Sequence, residues 1–118
     1  MTGSQNVGKG WRSFFWVASA FNLVVGFAGM AQAEGDTQAM IVALLVACFG
    51  VVYALVARDP LRFAPVLIAG IIGKLGVVAL LGPANWQAGG DPVIGAVVAG
   101  DLLFALGFAW FLLAMRKA

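Results

Sequence analysis

The stretch Ile68-Ala69-Gly70-Ile71-Ile72-Gly73-Lys74-Leu75-Gly76-Val77-Val78 decides the fold class of this chain. It is apolar apart from one lysine, and its glycines recur at helical spacing. With its apolar neighbours it forms a run, about residues 61–82, that is long enough to cross a hydrocarbon core of about 30 Å as a helix. The stretch therefore predicts a membrane-spanning helix that carries a single positive charge.

The composition of the whole chain also indicates a membrane protein. Of its 118 residues, 63% are hydrophobic and 10% are charged, and the mean hydropathy is +1.01. Soluble domains contain about 25% charged residues, and a soluble chain of this length has too little interior to bury so much apolar surface. The chain has no histidine and one cysteine. This composition excludes histidine-based metal and haem sites, cysteine clusters and internal disulfides, so we expect no metal and no cofactor.

Four apolar segments follow one another along the chain. They lie at about residues 13–31, 38–57, 61–82 and 92–115. Short polar connections separate them, so we predict an all-α integral membrane protein, a four-transmembrane-helix bundle in up-down-up-down order. Residues 1–12 are polar and predict a mobile cytoplasmic tail, and residues 13–118 predict a single transmembrane domain.

Capping residues and prolines predict where the helices begin and end. Ser13 is the expected N-cap of the first helix, and Asp36 or Thr37 is the expected N-cap of the second. Asp59-Pro60 and Asp91-Pro92 each place a capping residue before a proline at the first helical position, where the missing N–H has no helical partner to lose. Gly82-Pro83 predicts the end of the third span.

The first segment has some features of a secretory signal peptide. Lys9 and Arg12 precede its apolar run, and Ala31-Gln32-Ala33 has the pattern of a cleavage site. However, the uncharged run of roughly 19 residues is longer than a typical signal core of about 7–15 residues. We therefore expect an uncleaved membrane span.

The charges outside the spans predict the orientation of the chain. An even number of spans places both termini on one side, and that side carries the basic residues Lys9, Arg12, Arg58, Arg62, Arg116 and Lys117. The opposite side carries the acidic residues Glu34, Asp36 and Asp91. By the positive-inside rule, both termini are expected in the cytoplasm, with the chain in a plasma (bacterial inner) membrane. Basic helix ends also explain the net charge of +2 without any binding of nucleic acid.

Lys74 and Asp101 are the charged residues within the spans. Both lie roughly 12–14 Å below the outer edge of the bilayer, at a rise of about 1.5 Å per residue. The third and fourth helices are joined by a short loop and are expected to be antiparallel neighbours. Because an unpaired charge in the membrane costs about 2.5–3.5 kcal/mol on insertion scales, we predict that the two side chains contact each other directly or through water.

Asn22 and Cys48 are expected at a similar depth, which predicts a polar layer of Asn22, Cys48, Lys74 and Asp101. Cys48 is its weakest member, because a buried cysteine usually behaves as a small apolar residue. The layer has two interpretations. It is either a structural arrangement that determines helix register and partner choice, or a site for a proton, an ion or a ligand.

Small residues predict where the helices pack closely. On the first helix, one stripe contains Ser19, Asn22, Gly26 and Gly29. On the second, one face contains Ala43, Ala47, Gly50 and Ala54. On the third and fourth, the predicted packing residues are Gly70, Gly73, Gly76, Ala96 and Gly100. Such faces let two backbones approach in lipid and gain van der Waals contact.

No segment predicts catalysis. Gly70–Leu75 superficially resembles a phosphate-binding loop, but that loop needs four residues between its glycines and Ser or Thr after the lysine. We therefore predict a non-enzymatic multi-pass membrane protein that acts as an accessory, assembly or interaction subunit. Its expected partners are the lipid bilayer, other membrane subunits and further copies of itself. The alternative is a small transporter, or an apolar-ligand or lipid-binding protein, that uses Lys74 and Asp101.

Overall fold

Helices account for nearly all of the described chain. The computed structural model describes residues 8–87 and 89–117, with side chains up to Met115. Within these residues there is no strand, and the helices are α1 (Lys9–Gln32), α2 (Thr37–Arg58), α3 (Pro60–Phe63), α4 (Val66–Gln87) and α5 (Pro92–Lys117). Four of them, α1, α2, α4 and α5, are long and apolar enough to cross a membrane. The predicted all-α fold with four membrane-spanning helices is confirmed.

The chain divides into two compact units, Met1–Phe63 and Ala64–Ala118. We call α1, α2 and α3 the first hairpin and α4 and α5 the second hairpin. A single domain over residues 13–118 stays a prediction. Residues 1–7 of the predicted tail lie outside the described residues, whereas Lys9 already belongs to α1.

Helix α1 begins earlier than predicted. Its N-cap is Gly8, without a side-chain hydrogen bond, so Ser13 lies inside the helix and does not cap it. Arg12 holds the first turns against α2, because its Nη1 donates to the carbonyl oxygens of Arg58 at 3.0 Å and Ala57 at 3.5 Å. The carbonyl oxygens in the last turn of a helix have no N–H donor within that helix, so they need a donor from outside it. The start of α1 is therefore part of the hairpin.

Glycines bring α1 and α2 into very close contact. A Cβ atom on Gly26 would lie 2.6 Å from the backbone nitrogen of Ala47, and one on Gly29 would lie 3.0 Å from the Cβ of Ala43. On α2, a Cβ on Gly50 would lie 2.7 Å from the side chain of Leu23. The later residue of α1 meets the earlier residue of α2, so the two helices are antiparallel. The predicted small-residue faces of α1 and α2 do pack against each other.

Two polar side chains of α1 bond directly to the backbone of α2. The hydroxyl of Ser19 donates to the carbonyl oxygen of Gly50 at 2.7 Å, and the amide of Asn22 donates to the carbonyl oxygen of Val46 at 3.1 Å. Ser19 and Asn22 are both buried. Because these bonds lie on the same stripe as Gly26, the stripe determines the register of the first hairpin.

The connection between α1 and α2 follows the predicted capping. Glu34 and Gly35 have φ values of 49° and 86°, which turn the chain after α1. The carboxylate of Asp36 then accepts a hydrogen bond from the N–H of Ala39 at 3.0 Å. Of the two predicted N-caps of the second helix, Asp36 and Thr37, Asp36 is the one present.

The third predicted span is divided near its start. The short helix α3 ends at Phe63, and α4 begins at Val66 after a turn at Ala64 and Pro65. Pro65 has no N–H to donate to the preceding turn, and its ring disfavours a helical conformation at Ala64. The chain turns tightly here instead, with the N–H of Leu67 donating to the carbonyl oxygen of Ala64 at 3.0 Å.

The third span also ends later than predicted. Pro83 lies inside α4, and the helix continues to Gln87. A proline inside a helix removes one backbone hydrogen bond and strains the turn before it, yet the helix continues here. The residues after Pro83 are tied to the start of α5, because the Oδ1 of Asn85 accepts from the N–H of Asp91 at 2.9 Å and its Nδ2 donates to the carbonyl oxygen of Asp91 at 3.3 Å.

Glycines and an aspartate join α4 to α5. Gly89 and Gly90 have φ values of 96° and 81°, a region that L side chains rarely adopt. The N–H of Gly90 donates to the carbonyl oxygen of Asn85 at 2.9 Å, which terminates α4. The carboxylate of Asp91 accepts from the N–H of Val93 at 2.8 Å, so the predicted cap before Pro92 is present.

Candidate functional site

The second hairpin contains a buried ion pair. The Nζ of Lys74 on α4 lies 2.6 Å from the Oδ1 of Asp101 on α5 and donates a hydrogen bond to it. Lys74 is 5% exposed and Asp101 is 8% exposed. The contact predicted from their depths in the two spans is present as a direct contact.

An aromatic ring also lies close to the ammonium group of Lys74. The Nζ of Lys74 lies 5.5 Å from the ring centroid of Phe104, which is itself buried. Phe104 follows Asp101 by one helical turn on α5, so both face α4 together. A cation within about 6 Å of a ring face is attracted to it, and more strongly where water is excluded. The ring and the carboxylate therefore both attract the ammonium group and offset part of the hydration that it loses on burial.

The short distance explains how two charges are tolerated inside the spans. A carboxylate and an ammonium separated from water each lose several kcal/mol of hydration, which only close contact and good hydrogen-bond geometry can offset. Among the described residues, no buried side-chain nitrogen or oxygen lacks a hydrogen-bond partner. As it stands, this geometry can join α4 to α5. It can also bind or exchange a proton or a polar ligand if the pair opens.

The predicted packing residues of α4 and α5 behave differently from one another. Gly70 is buried one turn before Lys74, and Gly100 is half-buried beside Asp101. Gly73, by contrast, is exposed, and a Cβ on Gly73 would meet nothing within 4 Å.

Gly76 and Ala96 also depart from the predicted packing within the second hairpin. A Cβ on Gly76 would meet nothing within 4 Å, and Ala96 is exposed. The prediction that Gly73, Gly76 and Ala96 allow close helix contact stays a prediction, but within this hairpin they do not pack closely. The physical reason is helical phase, because Gly73 and Gly76 point about 100° and 200° away from Lys74, the residue that faces α5.

Asn22 and Cys48, the other members of the predicted layer, lie in the first hairpin. Asn22 is buried and faces α2 as expected. Cys48 is exposed, because it follows the buried Ala47 and therefore turns about 100° away from the face that contacts α1. Cys48 is thus not part of a buried polar cluster in its hairpin, and one layer joining both hairpins stays a prediction.

Three polar or aromatic contacts in the structure are not among those predicted from the sequence. They are the bond from Ser19 to Gly50, the contact of Phe104 with Lys74, and the bonds from Arg12 to the end of α2. Ser19 shared a stripe with Asn22, and Phe104 lies three residues after Asp101, so helical spacing could have indicated both. The sequence carries no signal for the acceptors of Arg12, because they are backbone carbonyls.

Comparisons with family models, with curated proteins and with solved structures found no match. The geometry of the two hairpins is therefore the basis for assigning a role.

Proposed function

We propose that this small multi-pass membrane protein acts as an accessory, assembly or interaction subunit that binds other membrane proteins or further copies of itself. The four spans and their connections take up almost all of the described chain, so helix surfaces are what it offers to a partner. The observation that supports an interaction role is the open glycine face of α4, which we define as Ala69, Gly73 and Gly76.

The open face contrasts with the glycines of the first hairpin. Atoms of α2 occupy the space where a side chain on Gly26 or Gly29 would lie. The corresponding space beside Gly73 and Gly76 is open. Ala69 is exposed one turn before Gly73. In lipid, helices associate through close van der Waals packing at small residues, so a partner helix could approach α4 closely here.

The full-length chain carrying Gly73→Leu tests the interaction role. Purified in mild detergent and examined by native mass spectrometry, the unsubstituted chain should retain a specific protein or a second copy of itself. Gly73→Leu should lose it, because the leucine fills the open face without touching its own hairpin. The control is Ala20→Leu, which adds the same bulk at an exposed position of α1. A monomer carrying only lipid, in the unsubstituted chain, contradicts the proposal.

The buried ion pair favours a second candidate function. We propose, as the alternative, a small transporter or an apolar-ligand or lipid-binding protein that uses Lys74 and Asp101. Ionisable residues within spans are expensive and commonly mark pathways for protons, ions or ligands. Support comes from the position of both residues well inside their helices and from their burial.

A charge-free pair separates the two candidates. In a strain that lacks the protein, the variant with both Lys74→Met and Asp101→Leu should restore growth or any other lost phenotype if the pair only joins α4 to α5. If that variant is expressed and assembled normally but fails to complement, the pair itself has a function. Both candidates are non-enzymatic. Both include cytoplasmic termini in a bacterial inner membrane, which the positions of the basic residues support.

A further inference from the structure

Basic residues are concentrated at one end of the first hairpin. They are Lys9 and Arg12 at the start of α1, Arg58 at the end of α2 and Arg62 in α3. The geometry points to a binding site there for the phosphate of an anionic phospholipid, held between the side chains of Arg58 and Arg62. This inference is independent of the interaction role proposed above.

The two arginines of the site are free to bind an anion. Arg58 and Arg62 are both exposed, and among the described residues the only salt bridge is that of Lys74 with Asp101. The guanidinium carbon of Arg62 lies 5.3 Å from the ring centroid of Phe63, which limits the positions the side chain adopts. Asp59 lies between the arginines in sequence and offsets the charge of one of them, so the segment keeps a net positive charge from the other.

Arg12 removes one obstacle to an anion at this end of α2. The C-terminus of a helix carries partial negative charge on its free carbonyls, which repels a phosphate. Here the guanidinium of Arg12 donates to the carbonyl oxygens of Arg58 and Ala57. Those carbonyls are thereby neutralised, and the guanidinium groups of Arg58 and Arg62 remain for an outside ligand.

The position of the cluster identifies the ligand as a lipid. The start of α1 and the end of α2 are the ends of two membrane spans, so these side chains lie at the level of lipid headgroups. Leu61 and Phe63 of α3 are apolar and only half-buried, and can contact acyl chains while the arginines bind the phosphate. Basic clusters next to a span attract anionic lipids in this way.

Lipid retention by the full-length chain tests the site. The protein is purified in detergent, incubated with an equimolar mixture of phosphatidylglycerol and phosphatidylcholine, and the bound lipids are counted by native mass spectrometry. We expect a preference for phosphatidylglycerol that falls up to about 25-fold in the Arg58→Gln/Arg62→Gln variant, because each exposed ion pair of an arginine with the bound phosphate contributes a factor of up to about five. Arg116→Gln/Lys117→Gln is the matched control, with the same charge change at another span end.

Three outcomes would overturn the inference. One is an equal loss of phosphatidylglycerol in the control, which would indicate overall charge and no particular site. Another is full retention by Arg58→Gln/Arg62→Gln. If that variant does not fold, the unsubstituted chain still decides the matter. Its preference must fall between about 0.1 M and about 1 M salt, where charges at a surface become screened, and an absent or salt-independent preference rules the site out.

Discussion

Lys74 and Asp101 each relieve the cost that the other would face alone. Either charge is costly in hydrocarbon without a partner, and the 2.6 Å contact supplies one. Yet a well-packed apolar pair at the same positions would serve stability as well or better, because buried ion pairs seldom stabilise more than apolar residues of similar volume. Their presence therefore favours a role in specifying how α4 meets α5, or a role beyond structure.

The losses of stability caused by the two single substitutions of the pair should not add up in the double variant. Lys74→Met alone and Asp101→Leu alone should each destabilise the folded chain by about 2.5–3.5 kcal/mol, because each leaves an unpaired charge among apolar residues. The double variant should recover most of this loss. Unfolding of the purified chain in mixed detergent micelles measures all three. A double variant as unstable as the sum of the single variants would mean that the two charges do not depend on each other.

Glycine positions that look alike in the sequence should respond in opposite ways. Gly26→Ala should destabilise the chain by about 1–3 kcal/mol, because its Cβ would collide with the backbone of Ala47. Gly73→Ala should be neutral or stabilise by up to about 1 kcal/mol, because its Cβ has open space and alanine favours the helix. The same unfolding assay compares them. Equal losses would show that Gly73 is packed as tightly as Gly26.

At the scale of helices, the sequence predicts those features that depend on neighbouring residues in the chain. Asp36 and Asp91 were found as caps because a cap needs only the residues that follow it. The contact of Lys74 with Asp101 followed from span length and depth. The open space at Gly73 did not follow, because it depends on which helix face meets a neighbour, and the continuation of α4 past Pro83 did not follow either.

The pairing of α1 with α2 should depend on Ser19 and not on Ser13. Ser19→Ala removes the hydrogen bond to Gly50, and bonds between membrane helices contribute about 0.6 kcal/mol on average and up to about 1.7. Ser13→Ala is the matched control, because Ser13 is exposed and caps no helix, so its change should stay within about 0.5 kcal/mol. A larger effect of Ser13→Ala in the unfolding assay would restore it as the cap of α1.

At the scale of the whole molecule, the distribution of charge is the strongest guide to orientation. The two ends of α2 carry opposite charges, with the acidic Glu34 and Asp36 before its start and the basic Arg58 at its end. The first hairpin therefore presents an acidic turn on one side of the membrane and a basic end on the other. Because Lys and Arg outside the spans favour the cytoplasmic side, the basic end should be cytoplasmic and the α1–α2 turn external.

Cysteine labelling in intact cells measures that orientation. With Cys48→Ser to remove the native thiol, Thr37→Cys and Trp86→Cys should react with a membrane-impermeant maleimide added outside, because both are exposed and lie next to external turns. Asp59→Cys, also exposed but at the basic end, should react only after the membrane is permeabilised. Labelling of Asp59→Cys in intact cells, with Thr37→Cys protected, would mean that the chain is inverted. Labelling of Thr37→Cys but not Trp86→Cys would mean that α4 and α5 do not cross the membrane as α1 and α2 do, and would contradict four spans with both termini on one side.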